Sequence, residues 1–374
     1  MKLQKHIIFD GRFLAKNEPS GIRRDSEAFL EEFLKNEWSI QILGFRGMTE
    51  TSELVARNSE LLTRSSLFLE TFKAAAFRMQ VEIRDTNPSF FFQSQISPIK
   101  VKNQTVTLPR VIRVHDVFPI TNPEWFTKKA VLNFKAGIYS LTERDTFIVN
   151  SKYTREKLLN VVAKRIDPGN IEIVPCKLPN FASTKPCSLC MICSGGVSIP
   201  QEYLLAVGTV EPRKNYSRLV EAWKNSRVQK QGIKLVIIGR IGWLSSETVR
   251  HIQNQTSTIL LTNICDFQLN FMYHNAFAFI SASVDEGFDI PISEARFHGL
   301  TILASDIPVH RENFENQNNI VWFKPLEVDS LTEAINTLDG AKKNTSIRIG
   351  EIDFSENFSL AIERISERLT QQKY

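Results

Sequence analysis

Short apolar runs alternate along the chain with segments in which apolar residues recur at helical spacing. The runs in the first half predict strands near residues 6–10, 39–44, 88–93, 110–115, 146–150 and 170–174. Those in the second half predict strands near 203–207, 233–238, 257–262, 276–280, 301–304 and 319–322. The amphipathic segments predict helices, the clearest near 22–36, 124–143, 152–163, 328–338 and 355–372. This alternation indicates an α/β fold with parallel sheets and right-handed crossovers.

The length of the chain indicates two domains. Its 374 residues are too many for one ordinary core and suit two domains of α/β size. We place an N-terminal domain at residues 1–180 and a C-terminal domain at 181–355, because a stretch rich in Pro and Cys separates them between 175 and 200.

Composition narrows the class of protein. A hydrophobic content of 42% and a charged content of 23% are typical of a globular protein in water. No run approaches the roughly 18 apolar residues of a membrane helix. The apolar run before Asp10 is only three residues long, which predicts a first buried strand rather than a signal peptide. We therefore expect a cytoplasmic protein. The first strand is not followed by Gly-x-Gly-x-x-Gly, which disfavours a nicotinamide or flavin enzyme.

Charge is shared unevenly between the halves. Residues 1–180 hold 27 Lys and Arg against 20 Asp and Glu, a net charge of +7, and the remainder carries −2. The first domain is therefore expected to bind an anionic partner, although no motif supports binding of nucleic acid. Residues 57–84 interleave basic and apolar side chains, which suits the surface of an anionic membrane. A core-facing helix with a solvated basic side is the alternative interpretation.

Four cysteines fall in the stretch between the domains: Cys176, Cys187, Cys190 and Cys193. The last three have Cys-x2-Cys-x2-Cys spacing, which can bind zinc or an iron–sulfur cluster with Cys176 as a fourth ligand. Reduced thiols on a loop are the alternative, because disulfides are rare in the cytosol.

Two carboxylates stand eight positions apart after the strand predicted at 276–280. Glu286 and Glu294 flank a Gly-Phe-x-x-Pro turn that leads into a helix. Loops that follow parallel strands lie at the edge of the sheet where ligands bind. A helix N-terminus there attracts phosphate, and carboxylates accept hydrogen bonds from a polyol. The pattern predicts a site for a phosphorylated sugar, with an ordinary capped loop as the alternative.

Two cations follow the strand predicted at 203–207. Arg213 and Lys214 stand where the next helix begins, so the helix dipole adds to their attraction for anions. A guanidinium and an ammonium together can neutralise a diphosphate leaving group. Both loops are expected at the same edge of one sheet.

These loops resemble the signatures of family 4 retaining glycosyltransferases. The stretches that carry the resemblance are Gly208-Thr-Val-Glu-Pro-Arg-Lys-Asn and Glu286-Gly-Phe-Asp-Ile-Pro-Ile-Ser-Glu. Further stretches follow the same order: Asp10-Gly-Arg-Phe, Ser20-Gly-Ile-Arg-Arg, His115-Asp-Val-Phe-Pro-Ile, Val149-Asn-Ser-Lys-Tyr-Thr, Gly239-Arg-Ile-Gly-Trp and Ala304-Ser-Asp-Ile-Pro. The resemblance implies the GT-B fold, in which two Rossmann-like, doubly wound parallel-sheet domains face a central cleft. It also implies that a terminal helix, residues 356–374, crosses back onto the first domain.

The resemblance assigns roles to particular residues. It implies that Arg213 and Lys214 hold the donor diphosphate and stabilise the leaving nucleotide, and that Glu294 accepts the ribose hydroxyls. Glu286 and His115 are expected to contact the donor sugar. The remaining donor-binding positions that it implies are Gly21, Ile264, Gly287, Phe288, Asp289 and Ile290. No cofactor or metal is expected, because the basic pair neutralises the diphosphate.

One position departs from the family pattern. Asp289 stands where the family usually has Gly, which places a carboxylate near the diphosphate. We expect Asp289 to cap the following helix or to bind a sugar hydroxyl.

The function implied is transfer of a hexose from a nucleotide sugar, best matched by mannose from GDP-mannose. The acceptor is expected to be a lipid-linked or oligosaccharide precursor of a surface polysaccharide or lipopolysaccharide, reached by peripheral contact with the cytoplasmic membrane. A UDP-sugar donor stays open. The alternatives are a nucleotide-sugar epimerase of the same fold and a catalytically silent scaffold subunit.

Overall fold

The computed structural model describes residues 5–11, 21–45, 66–70, 79–83, 89–103, 106–162, 165–178, 198–340 and 354–371. The chain divides into two compact units. Unit 1 comprises residues 1–123, 128–177 and 352–374, and unit 2 comprises 124–127 and 178–351.

Unit 1 is built on a parallel sheet. Its strands are β1 (His6–Asp10), β2 (Ser39–Phe45), β3 (Ser66–Glu70), β4 (Met79–Ile83), β5 (Phe90–Gln93), β6 (Ile99–Asn103), β7 (Val106–Thr107), β8 (Arg110–Val114), β9 (Thr146–Val149) and β10 (Ile171–Ile173). Seven of them form the main sheet in the order β10-β9-β8-β5-β1-β2-β3, and β4, β6 and β7 form a small second sheet. Every pairing in the main sheet is parallel.

Helices pack against this sheet. They are α1 (Gly21–Lys35), α2 (Phe118–Thr121), α3 (Lys128–Tyr139), α4 (Lys152–Val162) and the terminal α11 (Phe354–Gln371). Apolar side chains of α1, α4 and α11 contribute to its core clusters. Short 3-10 turns lie at Pro123–Trp125 and Pro168–Asn170.

The terminal helix α11 completes the core of unit 1. Phe358, Ile362 and Ile365 recur at helical spacing and are buried in the same apolar cluster as β1 and α1. The ring of Phe358 lies edge-on to Phe33 with centroids 4.9 Å apart. On the polar side, Arg364 Nη1 lies 2.9 Å from Glu172 Oε2 on β10.

Unit 2 has one six-stranded parallel sheet. Its strands are β11 (Tyr203–Val207), β12 (Lys234–Ile238), β13 (Thr258–Leu261), β14 (Ala278–Ser281), β15 (Ile302–Ser305) and β16 (Ile320–Phe323). Its helices are α5 (Tyr216–Asn225), α6 (Ser246–Gln253), α7 (Asp266–Asn275), α8 (Ile290–Phe297), α9 (Pro308–Phe314) and α10 (Val328–Asn336), with 3-10 turns at Pro212–Lys214 and Val228–Gln231. The strand order β13-β12-β11-β14-β15-β16 is that of a Rossmann sheet.

Four strands of unit 1 were not predicted: β3, β4, β6 and β7. β3 and β4 lie within residues 57–84, so the helical interpretation of that segment is wrong where the structure describes it. The basic residues Arg57, Arg64, Lys73, Arg78 and Arg84 lie outside the part of the segment whose side chains the structure describes. The helix predicted at 124–143 is shorter, because a 3-10 turn precedes α3 and α3 ends at Tyr139. Among the helices described, none is long and apolar enough to cross a bilayer.

Candidate active site

The two motif loops meet where the strand order of unit 2 reverses. β11 and β14 are neighbours and pair in parallel, with Leu204 opposite Ala278. The chain leaves β11 toward α5 by residues 208–215 and leaves β14 toward α8 by residues 282–289. In open parallel sheets the crevice at the carboxyl ends of two such strands is the place where ligands bind.

Hydrogen bonds fix one loop against the other. The N–H group of Val284 donates to the carbonyl of Arg213 over 2.9 Å. The side-chain amide of Asn215 donates to the carbonyls of Ala282 at 3.1 Å and Pro325 at 2.7 Å. Asn215 has a φ of 58°, a left-handed conformation that Asn tolerates better than most residues. The functional side chains on the two loops are therefore held in register.

Arg213, Lys214 and Glu286 form one ionic cluster. Lys214 Nζ lies 2.6 Å from Glu286 Oε1, and Arg213 Nη1 forms an ion pair with Glu286 Oε2. The other side of the guanidinium is engaged as well, because Arg213 Nε lies 2.7 Å from Glu211 Oε1. Ser283 Oγ donates to Glu286 Oε1 over 2.8 Å. Glu286 is 5% exposed and Lys214 7% exposed, so water screens these charges weakly.

The cluster keeps its members ionised. Burial opposes the charge of Lys214, but the carboxylates of Asp289 and Glu286 outweigh it and raise the pKa of Lys214. Burial also opposes the charge of Glu286, and the cations Arg213 and Lys214 outweigh it and lower the pKa of Glu286. The site therefore carries fixed charges of both signs at neutral pH.

Gly208 forms the surface against which Lys214 lies. A Cβ atom at this position would be 2.8 Å from Lys214 Cε and 3.2 Å from its Nζ. The backbone φ of Gly208 is +150°, a value that residues with a side chain rarely adopt. Tyr216 contacts the same residue: its hydroxyl donates a hydrogen bond to the carbonyl of Gly208 over 3.1 Å. Position 208 therefore favours glycine for two reasons: the backbone φ is unusual for other residues, and a Cβ atom would press against the side chain of Lys214.

Asp289 does not play the capping role that we expected. It occupies the N-cap of α8 with φ 67° and ψ 69°, but its side chain makes no capping hydrogen bond. The carboxylate turns inward: Oδ1 lies 3.4 Å from Lys214 Nζ, and Oδ2 accepts from Ser281 and lies 3.0 Å from His310 Nε2. The side chain is fully buried, so the alternative expectation of a direct sugar contact is not supported by its position.

Glu294 is fully buried on α8. Its Oε2 accepts a hydrogen bond of 2.7 Å from the hydroxyl of Tyr273 on α7. The ring of Tyr273 stacks on His298, with centroids 5.5 Å apart. The carboxylate is thus positioned by α7 rather than presented to water.

The other positions predicted in unit 2 surround α8. Gly287 and Phe288 are buried in the turn before it, and Ile290 is its first residue. Asn313 holds this turn by donating to the carbonyl of Phe288 over 3.3 Å. Ile264 is 8% exposed and packs in the apolar cluster beneath the sheet edge with Leu261.

His115 and Gly21 belong to unit 1. His115 follows β8, and its Nδ1 lies 3.8 Å from Asp25 Oδ2. Burial lowers the pKa of His115, and the charge of Asp25 opposes this effect. Asp25 is fixed in turn by Arg113, whose Nε donates to Oδ2 at 2.8 Å and whose Nη2 donates to Oδ1 at 3.0 Å. Gly21 is the exposed first residue of α1.

Cys176 is the only member of the cysteine cluster among the residues that the structure describes. It is buried, and Arg113 Nη2 lies 3.5 Å from its sulfur. Burial raises the pKa of the Cys176 thiol. Cys187, Cys190 and Cys193 lie outside the described residues. Over the described ranges, no group of three or more His, Cys, Asp or Glu side chains is placed to hold a metal ion.

Several side chains of the site were not predicted. Ser281 and Ser283 alternate at the end of β14, a period-2 pattern that places both on one face. Tyr216 directly follows the basic loop. His310 lies two residues beyond the motif Ala304-Ser-Asp-Ile-Pro, and no sequence signal connects it with Asp289, 21 positions earlier.

Sequence comparison identifies relatives over part of the chain. Residues 197–349 match the family Glycosyl transferases group 1. The chain is 28% identical over 216 residues to a serotype-specific mannosyltransferase, WbdA, of Escherichia coli, covering 53% of this chain and 26% of that protein. It is 26% identical over 246 residues to the O-antigen chain mannosyltransferase RfbU of Salmonella typhimurium, covering 64% of this chain and 62% of that protein. The chain thus spans about a quarter of one relative and just under two thirds of the other.

Solved structures share the fold over almost the whole chain. Anabaena HepE, in complex with UDP and glucose, superposes with a TM-score of 0.61 at 15% identity and covers 98% of this chain and 97% of that one. WaaG, a glycosyltransferase involved in lipopolysaccharide biosynthesis, superposes with a TM-score of 0.62 at 13% identity and covers 97% and 95%. The predicted GT-B fold class is confirmed.

Proposed function

We propose that this chain is a retaining hexosyltransferase that uses a nucleotide sugar. The match of residues 197–349 to Glycosyl transferases group 1 supports this proposal. The preferred donor is GDP-mannose. The acceptor is a lipid-linked or oligosaccharide precursor of a surface polysaccharide or lipopolysaccharide.

One observation carries the proposal. Arg213 and Lys214 lie at the point where the strand order of a Rossmann sheet reverses, and Glu286 holds both by ion pairs. A departing nucleoside diphosphate develops negative charge at its phosphate oxygen. Two cations that are already oriented and poorly hydrated stabilise that charge without reorganising. A buried Lys214 beside a partly buried Arg213 is costly to a fold that does not use them, because their ion pairs recover the lost hydration only incompletely.

The remaining residues complete the proposed mechanism. Glu286 orients the cations through its two oxygens and is the carboxylate on the path from β14 toward α8, where the sugar would lie. No side chain of the described site is assigned as a covalent nucleophile. We propose front-face attack, in which the departing phosphate oxygen takes the proton of the acceptor hydroxyl. Because the basic pair carries the charge of the diphosphate, we expect activity without a metal ion. The sugar contact of His115 and the contribution of Gly21 stay predictions.

The proposed ribose contact of Glu294 requires a local change. Its carboxylate is completely buried and already accepts from Tyr273. Ribose hydroxyls can reach it only if the groups that cover it, Tyr273 among them, move aside when the donor binds. Glu294→Ala should then raise the donor KM more than it lowers kcat, because a contact made equally in both states affects binding alone.

The choice of mannose rests on the relatives. Both WbdA and RfbU are named as mannosyltransferases, and RfbU acts on the O-antigen chain. HepE was solved with UDP and glucose, which keeps a UDP-sugar as the second donor to test.

A panel of nucleotide sugars tests the function. Purified protein should bind GDP-mannose, measured by calorimetry, and release GDP in the presence of a lipid-linked acceptor, with the anomeric configuration retained by NMR. Preference for a UDP-sugar would change the donor but keep the activity. Conversion of the donor without acceptor and without released nucleotide would identify an epimerase. Binding of no nucleotide sugar would favour the scaffold alternative.

Membrane contact is a separate proposal. The net charge of +7 in residues 1–180 suits the anionic surface of the cytoplasmic leaflet, where a lipid-linked acceptor would lie. Binding to anionic liposomes should weaken as salt rises from about 0.05 to 0.3 M, because exposed charges are screened within about 10 Å at 0.1 M. Equal binding to neutral and anionic liposomes, or none to either, would contradict this proposal.

A further inference from the structure

We propose that His310 is a positioning residue of the donor site: it holds a proton against Asp289 and so leaves the charge of Lys214 available to the donor diphosphate. This inference rests on the proposed function. It concerns a fully buried histidine that no motif singled out and an aspartate that replaces the usual glycine.

The hydrogen bonds of His310 fix its protons. Nδ1 lies 2.9 Å from the carbonyl oxygen of Ser305, which can only accept, so Nδ1 carries a hydrogen. Nε2 lies 3.0 Å from Asp289 Oδ2, which already accepts from Ser281. A proton must lie between Nε2 and Oδ2, because two lone pairs at this distance would repel one another. Asp289 Oδ1 faces the Lys214 ammonium at 3.4 Å, which favours a carboxylate, so the proton lies on the imidazole, which then donates from both nitrogens.

Charge balance gives this proton a function. Around the site, the cations Arg213 and Lys214 face three carboxylates, those of Glu211, Glu286 and Asp289. Without the proton that His310 and Asp289 share, this group carries one net negative charge, and a diphosphate would be repelled. With the proton the group is neutral. Asp289 then has two cationic partners: His310 Nε2 lies 3.0 Å from Oδ2, and Lys214 Nζ lies farther away, 3.4 Å from Oδ1.

The surroundings of the pair support this assignment. Asp289 faces Lys214, Ser281 and His310, with Glu286 across the lysine. Burial raises the pKa of Asp289, but Lys214 and the hydrogen bond from His310 outweigh it and lower that pKa. On the other side of the imidazole lie the ring of Phe314, with centroids 6.4 Å apart, and the loop of Asp306. The charge of Asp306 is engaged by Arg311, whose Nε lies 2.7 Å from Oδ1.

Three variants separate charge balance from packing. His310→Gln keeps a donor but removes the proton, so the affinity for GDP or for GDP-mannose should fall by about tenfold or more. Asp289→Asn removes the carboxylate as well as the need for the proton, so it should weaken binding less than His310→Gln does. The double variant should bind more tightly than His310→Gln alone. His274→Gln, on the exposed face of α7, is the matched control and should bind like the unaltered protein.

A packing role predicts the opposite coupling. If His310 only filled space, the double variant would bind more weakly than either single variant, or its loss of binding free energy would equal the sum of the two single losses. Thermal melting of each variant identifies any that fails to fold, and in that case the spectroscopic readout decides.

Nitrogen NMR reads the proton directly. In protein labelled with 15N-histidine, the resonances of His310 are those lost in His310→Gln, and both ring nitrogens should show the protonated form at pH 7. In Asp289→Asn the ring should become neutral. A neutral ring in the unaltered protein would overturn the proposal, as would His310→Gln binding nucleotide normally. If the unaltered protein bound no nucleotide, the proposed function and this role would both fail, and the NMR result would still show whether the proton is shared.

Discussion

Replacing Gly208 by alanine tests the diphosphate clamp without changing any charge. The new Cβ would lie 2.8 Å from Lys214 Cε and 3.2 Å from Nζ. The far end of a lysine is flexible, so the side chain yields more easily than the backbone does. Gly208→Ala should therefore move the ammonium out of its 2.6 Å contact with Glu286 Oε1 while the fold persists.

Two separate losses are expected from this substitution. The backbone φ of +150° should cost about 1–3 kcal/mol of folding free energy when alanine adopts it. Displacement of a preorganised cation should cost a further ~2–4 kcal/mol of transition-state stabilisation. The second value corresponds to a fall in kcat/KM of about thirtyfold to several hundredfold.

A second glycine provides the matched control. Gly232 also has a positive φ, +89°, but a Cβ there would meet no atom within 4 Å. Gly232→Ala should lower the urea midpoint of unfolding through backbone strain alone and leave kcat/KM unchanged.

The assay is donor turnover and nucleotide affinity for both variants, beside their urea midpoints. If Gly208→Ala kept the kcat/KM of Gly232→Ala, the position of Lys214 would not matter to the reaction. The assignment of Lys214 as part of the diphosphate clamp would then be wrong.

Three further predictions concern other ion pairs. Lys214→Ala should lower kcat/KM by ~2–4 kcal/mol of transition-state stabilisation, whereas Lys224→Ala on the exposed side of α5 should not; full activity of Lys214→Ala would contradict the clamp. Asp25→Asn should lower the free energy of unfolding by about 3–5 kcal/mol, because it leaves the buried guanidinium of Arg113 without its counter-charge; a urea midpoint equal to that of the unaltered protein would refute this. The pKa of Glu286 is lowered from 4.5 in the folded chain, so its ion pairs stabilise the fold above about pH 4.5 and this contribution is lost as the pH falls through the lowered pKa. The stability of Glu286→Gln should therefore depend less on pH in this acid range. If the urea midpoints of this variant fell with decreasing pH as steeply as those of the unaltered protein, Glu286 would not contribute.

The sequence by itself determined the elements of unit 2. Its strands are short apolar runs, most of them largely buried, and each is followed by a turn and a helix, so periodicity locates them within a few residues. The same reasoning failed for β3 and β4 in unit 1, because the basic residues that flank these short strands made residues 57–84 resemble one amphipathic segment. The length of the element and its tertiary surroundings decide such cases, and a local sequence pattern shows neither.

The sequence also indicated Arg213, Lys214 and Glu286 correctly as neighbours, because loops that follow parallel strands share one edge of the sheet. Only the tertiary structure decided what each charge contacts. The strand order puts β11 beside β14, so Glu286 bridges both cations although more than 70 residues separate them. Likewise, Asp289 looked like a helix cap, since local spacing favours that role. Its backbone has a positive φ, and its carboxylate lies in the interior beside His310, which the next crossover contributes. A carboxylate buried there needs a charged partner. Local patterns fix where strands and loops occur, whereas the partners of buried charges depend on segments that the fold brings together from distant positions.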